Sequence, residues 1–428
     1  MKLNLLFLKP ILISMIILLF SDVLLSQTNF IFNKSHLDYL YKEIIVNGRQ
    51  MAIIHIYSNA PDYKYIDDDD EGYACVDDAA RAAIFYLEYF KAYNDSSSLD
   101  KYLKLTNFLL YMQSDNGFFY NFIWKDNTIN KTFKTSIAEP NWWTWRALWA
   151  ILEGYEFLLN TKNISANVVK ETIRKSIEAI MKNIPKDKHE IEYAGMNLPT
   201  WLPQKFASDQ AALLIVILND YYKITNDKYI LDYLNSLIEG VMMMQIKNQD
   251  CIYNGAFLSW QNSWHGWGNS QAYALLIAYQ TLKDDKIKES ALLELNNFYD
   301  RMIENNFLNY FSVKKQKCKY EILEKNQFSQ IAYIIRPMVF ALIEAYNITS
   351  DSSYAIKAGE AAQWFIGRNP AQVRMYNPEN GIIFDGIENQ NLINKNSGAE
   401  STIEGLLSLL KILQNQIALK TFESGVDR

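Results

Sequence analysis

The chain is poor in the residues that make tight turns. It contains only 16 glycines and 9 prolines among 428 residues, about half of the usual share. Sandwiches and barrels with many strands use turn-forming residues at each connection, so this shortage argues against them. At 49% hydrophobic residues, the chain still has enough apolar surface for a large core, which excludes a disordered protein. The composition therefore predicts a mostly helical globular protein.

Cysteines and basic clusters are also scarce. The three cysteines are too few and too scattered for a disulfide framework or a zinc site. Lysine and arginine number 42 against 48 acidic residues, and no basic cluster occurs, so we expect no nucleic-acid partner. There is no glycine-rich phosphate loop and no Cys/His ligand set, so we expect no cofactor and no metal. For the acidic run Asp67–Glu71, a solvated loop is the ordinary interpretation and a calcium site is the alternative.

The first residues have the pattern of a targeting signal. Lys2 and Lys9 precede an apolar run over residues 10–20, which is long enough for a signal-peptide core and short for a membrane span. We predict a signal peptide over residues 1–26 and one mature domain over 27–428, exported to the periplasm or the medium. An uncleaved N-terminal anchor is the alternative. No later stretch approaches about 18 apolar residues, so we expect no membrane span in the mature chain.

The mature chain shows a helical repeat. Apolar residues recur at helical spacing in twelve segments, at 33–46, 77–92, 99–113, 139–159, 164–183, 205–224, 227–247, 267–282, 284–303, 326–348, 351–366 and 398–416. Short polar connections pair most of them into hairpins, and the pairs recur about every 60 to 70 residues. Six stacked hairpins, with 33–46 as the twelfth helix, predict an all-α (α/α)6 toroid. An open solenoid or an irregular bundle is the alternative.

The loops before the first helix of each pair are rich in tryptophan, amide and acidic side chains. A closed ring places all six loops on one face, whereas the opposite face holds short Ser/Asp turns. Tryptophan rings next to amides and carboxylates suit a sugar polymer, because sugar rings have apolar faces and hydroxyl edges. We therefore expect a carbohydrate partner and the following substrate-binding residues: Arg81, Glu139, Trp142, Trp143, Arg146, Asp209, Trp264, His265, Trp267 and Asn269.

Candidate catalytic acids lie in the same loops. Cleavage of a glycosidic bond requires a carboxylic acid that protonates the leaving oxygen and a carboxylate that activates water or attacks carbon. The best candidates are Asp77, Asp78, Glu139, Asp209 and Glu400. Of these we predict that Asp77, Asp78 and Glu400, each at the start of a predicted helix, are catalytic. Arg81 follows at helical spacing and is expected to hold the aspartates ionised. Ordinary helix capping is the alternative for all three acids.

Several short motifs resemble those of six-hairpin glycosidases. They are Trp364–Pro370, with a Gly-x-Asn-Pro element similar to one in family nine endoglucanases, Met375–Gly381, and Asp385-Gly. Val76–Arg81 and Asn396–Thr402 are similar to elements of bacterial (α/α)6 proteins that accompany carbohydrate-processing enzymes. The resemblance implies Asp77 or Asp78 as base and Glu400 as acid. The Asp-Ala-Gly-Asp element of the endoglucanases is absent, since the two aspartates here are adjacent.

We therefore predict an exported glycoside hydrolase of inverting type. A lyase or epimerase on the same fold, with His265 and a tyrosine as acid and base, is the second interpretation. A glycan-binding protein without turnover, in which the three acids only cap helices, is the third.

Overall fold

The computed structural model describes residues 30–162, 164–185 and 187–425. The predicted signal peptide lies outside the described residues. The helices within them are α1 (Ser35–Leu40), α2 (Val76–Tyr93), α3 (Ser96–Tyr111), α4 (Trp142–Glu153), α5 (Tyr155–Asn160), α6 (Ala166–Asn183), α7 (Ser208–Thr225), α8 (Lys228–Met243), α9 (Gln271–Leu282), α10 (Asp285–Leu293), α11 (Tyr299–Glu304), α12 (Ala332–Thr349), α13 (Ser352–Ala362), α14 (Ala399–Leu413) and α15 (Gln416–Glu423). A π-helical turn, Glu294–Phe298, joins α10 to α11.

Short antiparallel strands occur between the helical hairpins. They are β1 (Tyr41–Val46), β2 (Arg49–Ile54), β3 (Tyr57–Asn59), β4 (Lys64–Ile66), β5 (Ala74–Cys75), β6 (Phe122–Ile123), β7 (Glu190–Tyr193), β8 (Met196–Pro199), β9 (Ser263–His265), β10 (Tyr310–Gln316), β11 (Lys319–Asn326), β12 (Gly386–Asn389) and β13 (Leu392–Asn394). β9, β10 and β11 form one three-stranded sheet, and the others pair in twos. β5 leads directly into α2, and the β12–β13 hairpin precedes α14, so strands fix the approach to both helices that carry candidate acids.

Six inner helices, α2, α4, α7, α9, α12 and α14, form a closed ring. Each inner helix packs against the next, and α14 packs back against α2. A polar side-chain contact crosses every one of the six interfaces: Asp77–Arg146, Trp145–Gln210, Ser208–Gln271, Gln280–Glu344, Arg336–Glu404 and Glu400–Arg81. The predicted (α/α)6 toroid is confirmed.

Most hairpin connections use the same two-residue device. The inner helices α2, α7, α9 and α12 each end in a residue with left-handed backbone, and the next residue is an aspartate that caps the outer helix. These pairs are Asn94-Asp95, Asn226-Asp227, Lys283-Asp284 and Ser350-Asp351. The short polar connections of the sequence therefore become tight turns on the face opposite the candidate acids.

The prediction of a twelfth helix over 33–46 is wrong. Only Ser35–Leu40 is helical, and β1 begins at Tyr41. Asn47 and Gly48 both have positive φ and turn the chain into β2, as an Asn-Gly pair commonly does in a two-residue hairpin. The twelfth helix is instead α15, which packs beside α13 and α14.

No helix in the described ranges is both long and apolar enough to cross a bilayer.

Candidate active site

The inner helices all begin at one end of the ring, which we call the mouth. Asp77 and Asp78 lie in the first turn of α2, and Glu400 lies in the first turn of α14. These two helices are far apart in the sequence and touch because the ring closes. The structure thus brings together the three acids that the sequence singled out.

Arg81 joins the acids in one cluster. Its Nη1 lies 2.9 Å from Oδ1 of Asp78 and 3.3 Å from Oδ2 of Asp77, and its Nη2 lies 2.8 Å from Oε2 of Glu400. Its Nε lies 3.1 Å from Oε1 of Glu404. Because Asp78 and Glu400 contact neighbouring nitrogens of one planar guanidinium, their contacting oxygens are less than about 8 Å apart.

Two further arginines complete the cluster. Arg146 of α4 contacts both carboxylate oxygens of Asp77 through Nη1 and donates from Nη2 to the hydroxyl of Tyr333, at 2.7 Å. Arg336 of α12 pairs with Glu404. We call the four acids Asp77, Asp78, Glu400 and Glu404, together with Arg81, Arg146 and Arg336, the mouth network. It contains four carboxyl groups and three guanidiniums, so full ionisation would leave one uncompensated negative charge.

The two adjacent aspartates have opposite pKa shifts. Burial opposes ionisation of Asp77, but the charges of Arg146 and Arg81 outweigh it and hold the pKa of this carboxyl below its usual value. For Asp78, burial dominates over the attraction of Arg81, and the negative charges of Asp77 and Glu400 add to it, raising the pKa to about 7. The expectation that Arg81 holds the aspartates ionised therefore fits Asp77, whereas the raised pKa of Asp78 leaves this carboxyl group partly protonated at neutral pH.

Cys75, rather than an aspartate, caps α2. Its Sγ accepts from the backbone N–H of Asp78 at 3.4 Å, and the thiol donates to Oδ2 of the same residue at 3.3 Å. The capping interpretation of the two aspartates is thus excluded by the observed cap. A thiol is a weak donor, so it does little to stabilise the ionised form of Asp78.

The acids differ in their access to solvent. The side chain of Glu400 is 43% exposed, that of Asp77 is 19% exposed and that of Asp78 is 6% exposed. Glu400 and Asp77 can therefore contact a ligand in the mouth, whereas Asp78 lies behind them.

A second polar group lies on another part of the ring. Nε2 of His265, at the end of β9, lies 3.1 Å from Oδ2 of Asp209 in the first turn of α7. The ring of Trp267 stacks on the imidazole with centroids 4.1 Å apart, and this tryptophan is 40% exposed. The imidazole is thus oriented by a carboxylate, and the free face of Trp267 offers a stacking surface for a sugar ring.

Trp142 and Glu139, two further predicted substrate-binding residues, lie beside the mouth network. The guanidinium of Arg146 lies over the ring of Trp142, at 5.0 Å from its centroid. Glu139 is partly exposed, and its Oε1 accepts from Asn141, the cap of α4. Both side chains remain candidates for contact with substrate.

Three of the predicted substrate-binding residues have buried side chains that make contacts with other protein groups. Trp264 is fully buried against Phe298 and Phe311, because successive residues of strand β9 point to opposite faces and its neighbour His265 takes the site face. Trp143 is 5% exposed and donates from Nε1 to a backbone carbonyl, as expected if some tryptophans of this helix belong to the core. Asn269 is fully buried, and its Oδ1 accepts from a tyrosine hydroxyl.

Sequence reasoning missed Tyr333, Arg336, Glu404 and Asp385. Glu404 follows Glu400 by one helical turn, a spacing that places both on one face of α14. Asp385 accepts from the backbone N–H of Gly398 at 2.8 Å, just before α14, and burial raises its pKa. Nothing in the local sequence marks Tyr333 and Arg336, because only the closed ring shows which face of α12 points to the axis.

Across residues 30–425, omitting 163 and 186, no group of three or more His, Cys, Asp or Glu side chains is arranged to hold a metal ion. The calcium alternative for Asp67–Glu71 thus has no support: Asp67 pairs with Lys125, and Asp68 caps its own turn.

Comparison with known proteins gives similarity of fold. No family model and no curated protein matches the chain. Among solved structures, cellobiose 2-epimerase from Bacillus thermoamylovorans is 10% identical with a TM-score of 0.60, over 89% of this chain and 96% of that chain, and a D-mannose isomerase has the same values. A family 76 glycoside hydrolase from a bovine Bacteroides thetaiotaomicron strain is 12% identical with a TM-score of 0.55, over 89% and 77%. The chain therefore shares the (α/α)6 toroid fold of these solved structures.

Proposed function

We propose that this protein is a glycoside hydrolase that acts on an oligo- or polysaccharide. The observation that carries the proposal is the mouth network, in which α2 and α14 place three carboxyl groups on one guanidinium and the pKa values of the adjacent Asp77 and Asp78 are shifted in opposite directions. Pairs of carboxyl groups whose pKa values are pushed apart are the usual arrangement for acid and base catalysis on glycosidic bonds.

Asp77 is the base in this proposal. It is ionised by its two arginines and partly exposed, so it can accept a proton from a water molecule in the mouth. Glu400, the most exposed of the three acids, delivers a proton to the leaving oxygen. In this proposal the proton on Asp78, whose pKa is raised to about 7, passes to Glu400, which contacts the same guanidinium.

We retain an inverting mechanism, with a water molecule between Asp77 and the anomeric carbon. Inverting enzymes separate their two carboxyl groups by about 6.5–9.5 Å to leave room for this water. The stereochemistry can be checked by proton NMR of the first product formed. An inverting enzyme gives the anomer opposite to that of the substrate, whereas a retaining enzyme gives the same one.

The test is release of new reducing ends from a panel of plant, algal and microbial glycans. We expect D77N and E400Q to lower turnover on the cleaved glycan by at least about 100-fold. Glu88 also bridges inner helices through ion pairs but lies at the opposite end of α2, so E88Q is the matched control and should keep normal turnover. Full activity of both D77N and E400Q would overturn the proposed roles.

A sugar epimerase is the second candidate, favoured by the oriented pair His265–Asp209 under Trp267. In that mechanism the imidazole removes a proton from a sugar carbon and a tyrosine returns one to the other face. H265N abolishes turnover if this candidate is correct. In the hydrolase it only weakens substrate binding.

We also propose that the protein is exported, from the pattern of residues 1–26. N-terminal sequencing of the protein from the periplasm or medium of an expressing bacterium checks this. A start close to Gln27 supports export with cleavage, and an intact N-terminus in the cytoplasm contradicts it.

A further inference from the structure

Tyr333 occupies an unusual position beneath the acids of the mouth. It lies in the first turn of α12 and is 3% exposed. The guanidinium carbons of Arg81, Arg146 and Arg336 lie 5.2, 5.2 and 5.1 Å from the centroid of its ring. These arginines come from three different inner helices, so one aromatic ring contacts every cation of the mouth network.

The ring counteracts a repulsion that the network creates. Three buried guanidiniums of like charge repel one another, and the field of Arg81 acts directly on Arg146. An aromatic ring has negative faces that attract cations, at distances below about 6 Å from its centroid. The hydroxyl adds an acceptor for Nη2 of Arg146, at 2.7 Å. Tyr333 thus attracts all three arginines while its volume keeps them apart.

Each of these arginines in turn orients carboxyl groups. Arg146 contacts both oxygens of Asp77, and Arg81 contacts Asp78 and Glu400. A shift of the phenol ring would therefore move the base and the proton donor relative to each other, although Tyr333 itself contacts none of these acids.

We propose that Tyr333 is the positioning residue of the mouth network: its ring and hydroxyl set the spacing of three arginines, and through them the geometry of Asp77, Asp78 and Glu400. Its kinetic consequences rest on the proposed function. The effect of Tyr333 on the titration of Asp77 can be measured whether or not the proposed function is correct.

The expected direction follows from the groups that face Asp77. They are Asp78, Arg81 and the Cys75 thiol at the start of α2, Arg146 of α4 and, through Arg81, Glu400 and Glu404 of α14, with Arg336 of α12 behind Glu404. In Y333F, Arg146 loses the acceptor of Nη2 and keeps its hydrogen bonds to Asp77 and its contacts with aromatic rings, so its guanidinium is less firmly positioned. The ionised form of Asp77 is then less firmly stabilised, so its pKa rises toward the ordinary value.

The experiment compares Y333F and Y333L with Y102F. Tyr102 is fully buried and donates to the carbonyl of Ala150 on α4, so Y102F removes a buried hydroxyl next to the same helix without touching the mouth network. For Y333F we expect kcat to fall about 10-fold with KM nearly unchanged, and the acid limb of the pH profile to move to higher pH. Y333L, which also removes the ring, should lose more, and Y102F should behave as wild type in both respects.

A second readout needs no substrate. In protein labelled with ¹³C at the aspartate carboxyl carbons, the Asp77 signal is identified by its absence in D77N and followed through a pH titration. A rise of its midpoint in Y333F but not in Y102F supports the inference even if no glycan is cleaved, in which case the proposed function alone fails. An unchanged midpoint together with wild-type kcat in Y333F overturns the inference. If Y333L does not fold, the results for Y333F alone support or overturn the inference.

Discussion

The two ends of the ring hold ion networks on the same helices but of different character. At the end opposite the mouth, Nζ of Lys91 on α2 lies 2.7 Å from Glu153 on α4 and 3.0 Å from Glu88, which Lys411 on α14 approaches to 3.5 Å. We call Glu88, Lys91, Glu153 and Lys411 the far-end network. Both networks therefore connect α14, α2 and α4, the helices that close the ring.

The networks differ in burial and in their cations. Side chains of the far-end network are 20–36% exposed, whereas the three arginines, Asp78 and Glu404 of the mouth network are 1–6% exposed, with Asp77 at 19% and Glu400 at 43% on the solvent side. Water screens the exposed pairs, so each contributes less than about 1 kcal/mol. The buried network has a large desolvation cost and is stable only while every partner is present. Packing and exposed pairs already join these helices at the far end, so closure of the ring does not account for a buried network at the mouth, whereas the proposed function would.

The largest expected difference between the two networks follows from removing one cation from each of them. R81M removes the buried cation that Asp77, Asp78, Glu400 and Glu404 share, so we expect a loss of about 3–5 kcal/mol in the free energy of unfolding and no turnover. K91M, at the far end, should cost less than about 1 kcal/mol and leave turnover unchanged. Urea unfolding and a reducing-end assay measure both, and equal losses in the two variants would refute the distinction.

The next prediction concerns a variant that should lose turnover without losing stability. In D78N a neutral amide replaces a carboxyl group whose folded-state pKa is raised to about 7, so the variant should be no less stable than wild type at neutral pH and should gain on wild type as pH rises from 4 to 7. Turnover should fall about 100-fold or more, because the amide holds no transferable proton. In wild type, activity should decline as pH rises above about 7, as the proton on Asp78 is lost. A wild-type pH profile in D78N would show that this proton is not used.

Stability should depend on pH with opposite sign at the two ends. The raised pKa of Asp78 means that the folded state binds more protons than the unfolded state between the unfolded value of 3.8 and about 7. Its contribution therefore falls as pH rises through that window, by at most about 1.4 kcal/mol per pH unit.

At the far end, burial opposes ionisation of Glu88, but Lys411 and Lys91 outweigh it and lower its pKa. Its contribution is thus present at neutral pH and lost as pH falls below its ordinary value. Urea unfolding of wild type, D78N and E88Q from pH 4 to pH 8 separates the contribution of Asp78 to stability from that of Glu88. A difference between D78N and wild type that stays constant over this range would contradict the mouth assignment.

The smallest expected effect is that of salt. The Debye length falls to about 3 Å at 1 M ionic strength, so high salt should remove most of the difference in stability between K91M and wild type. The difference in stability between R81M and wild type should persist, because dissolved ions screen buried charge pairs much less than exposed ones. Urea unfolding at low and high sodium chloride checks this, and loss of the R81M difference at 1 M salt would mean that the network is solvated.

The sequence predicts the closed ring and the position of its acidic residues, but it does not predict the protonation of those residues. The repeat of hairpins located Asp77, Asp78 and Glu400 at one end because local periodicity fixes helix starts. The protonation of Asp78 depends on burial and on the neighbouring charge of Glu400, a contact across 322 positions of the chain, which no local pattern encodes. Likewise, Tyr333 looked like an ordinary helical aromatic until the ring placed it at the axis.

Two errors had local causes. The apolar residues of β1 fit a helical period as well as a strand, and the Asn47-Gly48 turn that follows β1 distinguishes the two. Trp264 was assigned to the mouth with its neighbours, although the alternation of a short strand sends it to the core. In both cases the deciding information was present within ten residues.

The central claim is that the acids gathered by ring closure hydrolyse a glycosidic bond, and product analysis in D₂O tests it most directly. Mass spectrometry of a defined oligosaccharide after turnover should show two shorter sugars, with no deuterium bound to carbon, and no such products with E400Q. A product of unchanged length that carries deuterium on a sugar carbon, formed equally well by E400Q and not by H265N, would contradict the account and assign the chemistry to His265.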